Sequence, residues 1–513
     1  MAEMLSPGVF IQEIDASTIA PSVSSTAAVF VGNFTKGPVE SYLLITSVEA
    51  LISNFGLPTD TNYNDWYQAY NFLQYGNKLY IARAVGTDSF NAGVFAPDST
   101  GVVTTDYSVN PMIIKNFSEF ENTIDSISMA GVNDKLFIAS RTPGSWGNSI
   151  SVAIAASTDF GISADAFTGI GLDSFFEYTP SAGEYGILVS DGDAVVEVFT
   201  VSFDKNAKDF NNKSIYIEDV INNKSNFIYV KDDTANIETL DSALGANVLV
   251  LTSGIDVAPA SGDLITGYDV WSNKEEIDID IVIGNELDSG LSAINLANTR
   301  EDCIAFVGAN YDIVGVKASA AVASILSWRK TGAWNVNSMF AVAAANYKYQ
   351  YDRYNDKNRW INIAGDIAGL RAQTSSDRAS WWASAGLERG QIKNVKKLAF
   401  NPTQGQRDVL YQSGLNPVVA FPGQGTVMWG QKTLLDKPSS FDSVNVRGLF
   451  NTLERSLGKM AKYQVMEFND NFTRNRIVSM IKPFLSSVQA GRGIQEFLVM
   501  FISNLLMLLN LFS

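Results

Sequence analysis

The chain has 513 residues, 46% hydrophobic and 18% charged, with 54 Asp and Glu against 37 Lys and Arg, a formal net charge of −17. It contains no histidine and one cysteine, which excludes Ser–His and Cys–His nucleophilic pairs, histidine general bases, intrachain disulfides and Cys/His zinc sites. Any enzyme built on it would have to use carboxylates, Lys, Tyr or a bound cofactor, and the length allows about three domains.

The charge is unevenly spread. Residues 87–254 carry 23 Asp and Glu against 8 Lys and Arg, whereas 445–496 carries eight basic against four acidic residues. A solvated acidic module on a different kind of body is therefore expected. Nucleic acid is not an expected partner of such an acidic chain.

Taken in chain order, the start "MAEMLSPGVF" lacks a basic stretch followed by an apolar run, so no secretory signal is expected. In "LSPGVFIQEID" the run Val9, Phe10, Ile11, Gln12, Glu13, Ile14 suits a strand. The Ser/Thr-rich "ASTIAPSVSSTAA" that follows reads equally as the linker of an arm or the exit of an ordinary edge strand. Between Ala28 and Val85 the pattern is α/β: strand "AAVFVGNF", helix "SVEALISNFG", helix "WYQAYNFLQYG", strand "KLYIARAV". Gly56 and Gly76 act as helix stops.

Residues 87–254 change character, with short alternating runs in "NSISVAIAAS", "YGILVS", "AVVEVFTVSF", "SIYIED" and "NFIYVK" that predict a β-rich module. The α/β pattern then returns. "EEIDIDIVIG" and "CIAFVGA" read as strands, the latter holding Cys303 as a small buried thiol. "GVKASAAVASILSWRKTG" predicts a helix, "SMFAVAAANYKYQY" a strand, and the second half of "NRWINIAGDIAGLRAQTSS" a helix. "NVRGLFNTLERSLGKMAKYQVMEF" predicts a helix and a strand, "DNFTRNRIVSMIKPFLSSVQAG" a helix containing Pro483, and "IQEFLV" a further strand.

Three stretches carry possible chemistry. "GTVMWGQKT" at 425–433 is one residue too long for a phosphate-binding loop, because Gln431 separates Gly430 from Lys432. Asp278 and Asp280 would share one face of a strand, available to a cation or simply solvated. "NYKYQYDRYNDKNRW" at 346–360 interleaves aromatics with Lys348, Arg353, Lys357 and Arg359, a pattern that suits protein interfaces better than single-stranded nucleic acid. No catalytic residue, cofactor or metal site is expected.

Longer strings carry a resemblance. "LSPGVFIQEID", "GNFTKGP" (32–38), "NFLQYGNKLYIARAV" (71–85), "TPGSWGNSISVAI" (142–154), "QRDVLYQSGLNPV" and "NVRGLFNTLERSLGKMAKYQVMEFNDNFTR" resemble the tail sheath proteins of contractile-tailed bacteriophages. The match is densest from Asn346 to Phe400 and covers roughly 1–86 and 255–498, more loosely 87–254. It implies a mixed α/β, multi-domain fold: an α/β body of 23–86 and 255–440, an inserted β-rich acidic outer domain at 87–254, and an N-terminal arm 1–22 that joins 441–513 in an inner linking domain.

The resemblance also implies a structural subunit that polymerises around a tail tube and contracts to drive the tube through the host envelope. A phage-like injection machine is the alternative within that class, and a carboxylate-dependent or nucleotide-using enzyme the alternative outside it. The implied partners are further copies of the chain, the tube protein, and baseplate and terminator proteins, in a virion assembled in the host cytoplasm. Val9–Ile14 would add a strand to a neighbouring subunit, with Ile494, Gln495, Glu496, Phe497, Leu498 and Val499 as the candidate acceptor. Charge makes Arg474, Arg476 and Lys482 the candidate tube-facing residues.

The end, "EFLVMFISNLLMLLNLFS", has no charge after Glu496. At the bottom of the roughly 17–25 residues a spanning helix needs, and interrupted by Asn504 and Asn510, it is not expected to be a stable membrane anchor. The resemblance stops near Val499, so a frameshifted or truncated terminus is the expectation, with a divergent natural end second.

Overall fold

The computed structural model describes residues 26–97, 107–109, 111–123, 134–157, 160, 174–176, 178–232, 248–315, 318–332, 334–502 and 505–509. The Val9–Ile14 segment lies outside the described residues.

A six-stranded sheet organises the body, in the order Ala341–Ala344, Ile304–Gly308, Ile281–Gly284, Ala28–Gly32, Leu79–Arg83, Tyr42–Ile45. The first five strands run parallel and Tyr42–Ile45 is an antiparallel edge. Parallel strands covered on both faces need apolar side chains at nearly every position, and "AVFVG", "IVIG", "IAFVG" and "AVAA" supply them. Alternation then divides each run between two cores. Val29, Val31, Val282, Ala305 and Val307 face helices Ser261–Asp269, Leu287–Arg300 and Ala318–Thr331. Phe30, Ile81, Ile283, Phe306 and Val342 face helices Val48–Phe55, Tyr63–Phe72 and Ala364–Asp377. The fold is the mixed α/β expected.

The chain leaves this sheet after Arg83 and returns at Ile281. In between lie a four-stranded antiparallel sheet (Val248–Val250, Ile150–Ala156, Tyr185–Asp191, Ala194–Val201) and a three-stranded one (Gly93–Pro97, Asp134–Ser140, Ile228–Asp232). They share a core that includes Leu136, Ile138, Val152, Val189 and Val230.

Four local expectations need correction. "SIYIED" is no strand: helix Ile217–Lys224 begins inside it, burying Ile217, Val220 and Ile221 and carrying Glu218 and Asp219 in its first turn, where the helix dipole favours negative charge. In "EEIDIDIVIG" only Ile281–Gly284 is strand, so Asp278 and Asp280 precede it. "SMFAVAAANYKYQY" holds two strands in different sheets, Ala341–Ala344 and Tyr347–Asp352, the second paired with Lys357–Asn362 and Lys397–Leu398. "YQVMEF" is a turn after helix Val444–Lys462, with Met466 98% and Phe468 84% exposed.

Arg83 clasps the point where the chain leaves the sheet. Its guanidinium is 1% exposed and donates to the Phe34 carbonyl (2.6 Å), the Pro143 carbonyl (2.5 Å) and the Asp256 carboxylate (3.0 Å). One side chain thus joins the first strand's exit, the β-rich module and the returning segment. Burial pulls Arg83 down to about 10, partly offset by Asp256, so it stays charged at neutral pH. Removing a buried, fully bonded cation strands its acceptors. We expect Arg83→Met to cost about 3 kcal/mol in denaturant unfolding and to hasten amide exchange around Pro143 and Asp256; unchanged exchange there would disprove the clasp.

Candidate assembly surface

The last part of the chain forms a small unit with its own core. Helix Val444–Lys462 packs Leu449, Leu453 and Met460 against Ile481, Leu485 and Val488 of helix Asn471–Ala490. Asp470 caps the second helix by accepting from Thr473 N at 2.8 Å. Trp381 joins this core and donates its indole N–H to the Gly491 carbonyl at 2.9 Å. Beyond it, Leu498–Ile502 and Leu505–Leu509 pair as an antiparallel hairpin.

The apolar end is therefore a hairpin. Among the described residues neither of its strands has a second partner, so each keeps an open edge able to pair with another strand. The proposed acceptor segment is shorter than expected, since the strand begins at Leu498. Ile494 is buried in the helix-pair core and Phe497 packs against it, while Gln495 and Glu496 are exposed, so of the six only Leu498 and Val499 lie on the strand.

Half of the basic residues in 445–496 are already committed. Arg455 pairs with Asp280 and also donates to the Ile279 (2.6 Å) and Asp302 (2.7 Å) carbonyls. Lys459 pairs with Asp278, and Lys462 with Glu275 at 3.2 Å. These three lie one helical turn apart on a single stripe, matched to the acidic loop before strand Ile281–Gly284. Arg447 makes a two-pronged contact with Glu454 at 2.9 Å and lies over the Phe340 ring at 4.8 Å. Asp278, which stays exposed, and the partly buried Asp280 are thus both taken up in ion pairs between the body and the terminal unit.

Arg474, Arg476 and Lys482 all lie on helix Asn471–Ala490, but at about 100° per residue they do not share a face. Arg476 and Lys482 are exposed, whereas Arg474 is half-buried and bonds Asn469. In the turn between the two helices Tyr463, Val465, Met466 and Phe468 are all exposed, as is Phe472 at the start of the second helix, an apolar stretch left uncovered. Sequence reading had assigned part of it to a strand, and only the break in helical spacing after Lys462 could have signalled it.

The other candidate stretches are internally satisfied. Lys348 is buried and donates to Asp366 at 2.9 Å, and Arg359 binds Asp352 at 2.8 Å and Asp60 at 2.6 Å, so 346–360 spends cations on the fold. "GTVMWGQKT" contributes a hairpin strand, Gly425–Met428, and Lys432 lies 4.0 Å from Asp442 and over the Tyr411 ring.

The profile of the phage tail sheath protein central domain matches residues 292–434. The chain is 30% identical to the tail sheath protein of Vibrio phage KVP40, over 97% of its own length and 92% of the relative's. The chain belongs to the tail sheath protein family. It is also 28% identical to the tail sheath protein of Enterobacteria phage T4, over 97% and 92% of the two chains. A sheath tail protein from Listeria innocua has the same fold, at TM-score 0.55 and 10% identity, over 91% of this chain and 85% of that one.

In this sheath-family chain the crevice where open α/β sheets commonly bind ligands is filled from within. That crevice lies at the carboxyl ends of the strands where their order reverses, here between Ala28–Gly32 and Ile281–Gly284. Asp65 occupies it, accepting from Asn33 N (2.8 Å) and Asn285 Nδ2 (2.5 Å). Beside it, Glu286 accepts from Asn64 (2.9 Å) and the Tyr347 hydroxyl (2.8 Å). Among the described residues no group of three or more His, Cys, Asp or Glu could hold a metal, and no helix is long and apolar enough to cross a membrane. Cys303 is fully buried, which pushes its thiol up.

Two outcomes follow from these contacts. Asp280→Asn should cost about 3 kcal/mol by uncovering the nearly buried Arg455 guanidinium, while Lys462→Ala, which removes an exposed pair, should leave the unfolding midpoint unchanged. Equal effects would contradict the assignment of Arg455 as the anchor. Burial pushes the Asp65 carboxyl up to about 6 from 3.8. The folded state therefore holds this proton more tightly than the unfolded one, so the site favours folding at low pH and loses that contribution as pH climbs through about 6. Asp65→Asn should flatten the stability change between about pH 4 and pH 7, measured by urea unfolding at each pH; an unaltered slope would refute it.

Proposed function

We propose that this chain is a structural subunit of a contractile phage tail sheath. It polymerises helically around the tail tube and contracts to drive the tube through the host cell envelope for genome ejection. The observation that carries the reading is the 30% identity to a phage tail sheath protein along 97% of this chain. A sheath from a bacteriocin- or secretion-type injection machine would serve the same mechanics; the curated relatives from phages KVP40 and T4 favour the phage version. No catalytic step, cofactor, nucleic acid or membrane insertion belongs to this function. An internally filled crevice at the strand ends supports a scaffold role.

In this reading the 1–22 arm and the 441–513 segment link subunits, the 23–86 and 255–440 body transmits force, and the acidic 87–254 module faces solvent. Val9–Ile14 of one copy pairs with an open edge of the Leu498–Ile502 and Leu505–Leu509 hairpin of another, main-chain hydrogen bonds keeping copies joined while they slide. Arg476 and Lys482, the exposed cations of helix Asn471–Ala490, face the tube; Arg474, bonded to Asn469, serves the helix's own start. Partners besides further copies are the tube, baseplate and terminator proteins, in a virion tail assembled in the host cytoplasm.

Purified full-length protein should sediment as sleeves or rings, and a chain lacking residues 1–22 should remain monomeric with an unchanged far-UV spectrum. Persistent full-length monomers, or sleeves formed equally well without the arm, would contradict the reading.

A further inference from the structure

A cleft of about 340 Å³ opens where the body meets the β-rich module. The body brings Lys36 to it, four residues beyond the strand Ala28–Gly32, and the module brings Arg141, just beyond the strand Asp134–Ser140. Across the joint the Gly37 N–H donates to the Thr142 hydroxyl at 3.3 Å. Among the described residues that line the cleft there is no Asp or Glu. Lys36 is half-buried, its ammonium 5.5 Å from the Phe227 ring centre and 5.9 Å from that of Trp146. The Arg141 guanidinium lies 4.6 Å from the Tyr229 ring centre and 5.8 Å from that of Phe117, and its Nη1 donates to the Asn222 (3.3 Å) and Ser225 carbonyls. Neither cation has an ion pair among the described residues.

Aromatic faces attract a cation through their quadrupole but carry no net charge, so both charges stay uncompensated. Burial lowers the Lys36 ammonium below its ordinary range. Asp191, whose carboxylate accepts from the Ser149 hydroxyl at 2.5 Å, offsets only part of that cost. Two cations partly stripped of water on one cavity gain from an anion seated there. The walls narrow its class. Arginine presents a planar fork that matches a carboxylate, and the four rings offer an apolar surface to whatever carries it. An inorganic phosphate, polar on every side, would gain nothing from those rings. We propose that this cleft binds a carboxylate carried on an aromatic or aliphatic group, which bridges Lys36 of the body and Arg141 of the module. Its binding would stiffen the root of the module. The carboxylate can belong to a free molecule or to an Asp or Glu of a second copy, and the site itself does not rest on the sheath reading.

The test uses the full wild-type chain at a concentration where it is monomeric, with phenylacetate as the probe and phenylacetamide and inorganic phosphate as controls. Acetylation of Lys36 by an N-hydroxysuccinimide ester, read by peptide mass spectrometry, should slow several-fold in saturating phenylacetate and stay unchanged in either control. The exposed Lys330 should react alike throughout. In calorimetric titration Lys36→Met and Arg141→Met should each weaken phenylacetate at least about tenfold, and Lys330→Met should not. Absence of protection, equal protection by phosphate, or undiminished affinity in folded Lys36→Met and Arg141→Met would overturn the site; the labelling of the wild type decides even where a variant misfolds. Labelling assembled protein without the probe separates the two sources. Protection of Lys36 on assembly that Arg141→Met abolishes assigns the carboxylate to a second copy, and protection by phenylacetate alone assigns it to a free molecule. If the chain makes no assemblies while phenylacetate still protects the monomer, the sheath reading fails and the site stands.

Discussion

Asp280 is the point on which the arrangement of the chain turns. It sits immediately before the central strand Ile281–Gly284, accepts from the backbone N–H of Ala27 where the first strand begins, and pairs with Arg455 of the terminal helix. One carboxylate thereby joins the start of the strand Ala28–Gly32, the middle of the parallel sheet and the terminal unit. Ala28 pairs in register with both Ile281 and Leu79, so the body sheet forms only when segments some two hundred residues apart come together. The β-rich module is held outside that sheet by Arg83 at its root.

The two kinds of joint differ physically. The body is a sheet covered on both faces by helices, with tightly packed aliphatic and aromatic cores, and such interiors transmit strain because they scarcely compress. The terminal unit has a separate small core and meets the body through a stripe of ion pairs and Trp381. Charged contacts of this type are directional and specific, and only the buried Arg455 pair among them is costly to break. For the proposed sheath role, a stiff body joined to a separately packed terminal unit is a suitable division of labour.

Much of the body was legible because its physics is local. Fully buried parallel strands must be apolar at successive positions, and "AVFVG" and "IAFVG" announce themselves. Helix Leu287–Arg300 did not, because its buried face includes Ser289, Gly290 and Ser292. That face is small because the helix lies close to the sheet: a Cβ on Gly284 would meet Gly290 Cα at 2.7 Å. Its signal is therefore the absence of bulk, which reads as a loop. The ion-pair stripe was hidden for another reason. Asp278, Asp280, Arg455 and Lys459 are far apart in sequence, and each acid or base alone looks like ordinary surface charge. The charge excess in 445–496 was visible, but its partners were not, so cations that hold the fold together were counted with those that remain exposed. Family resemblance rested on long strings and needed none of this geometry.

A helical cryo-electron microscopy reconstruction of the assembled protein tests the central claim most directly. The account predicts a hollow sleeve with the Val444–Lys462 and Asn471–Ala490 helices lining the lumen, the 87–254 module on the outer surface, and an added strand on the Leu498–Ile502 and Leu505–Leu509 hairpin contributed by another copy. A sleeve with the acidic module turned inward, or with that hairpin unpaired between copies, would contradict it.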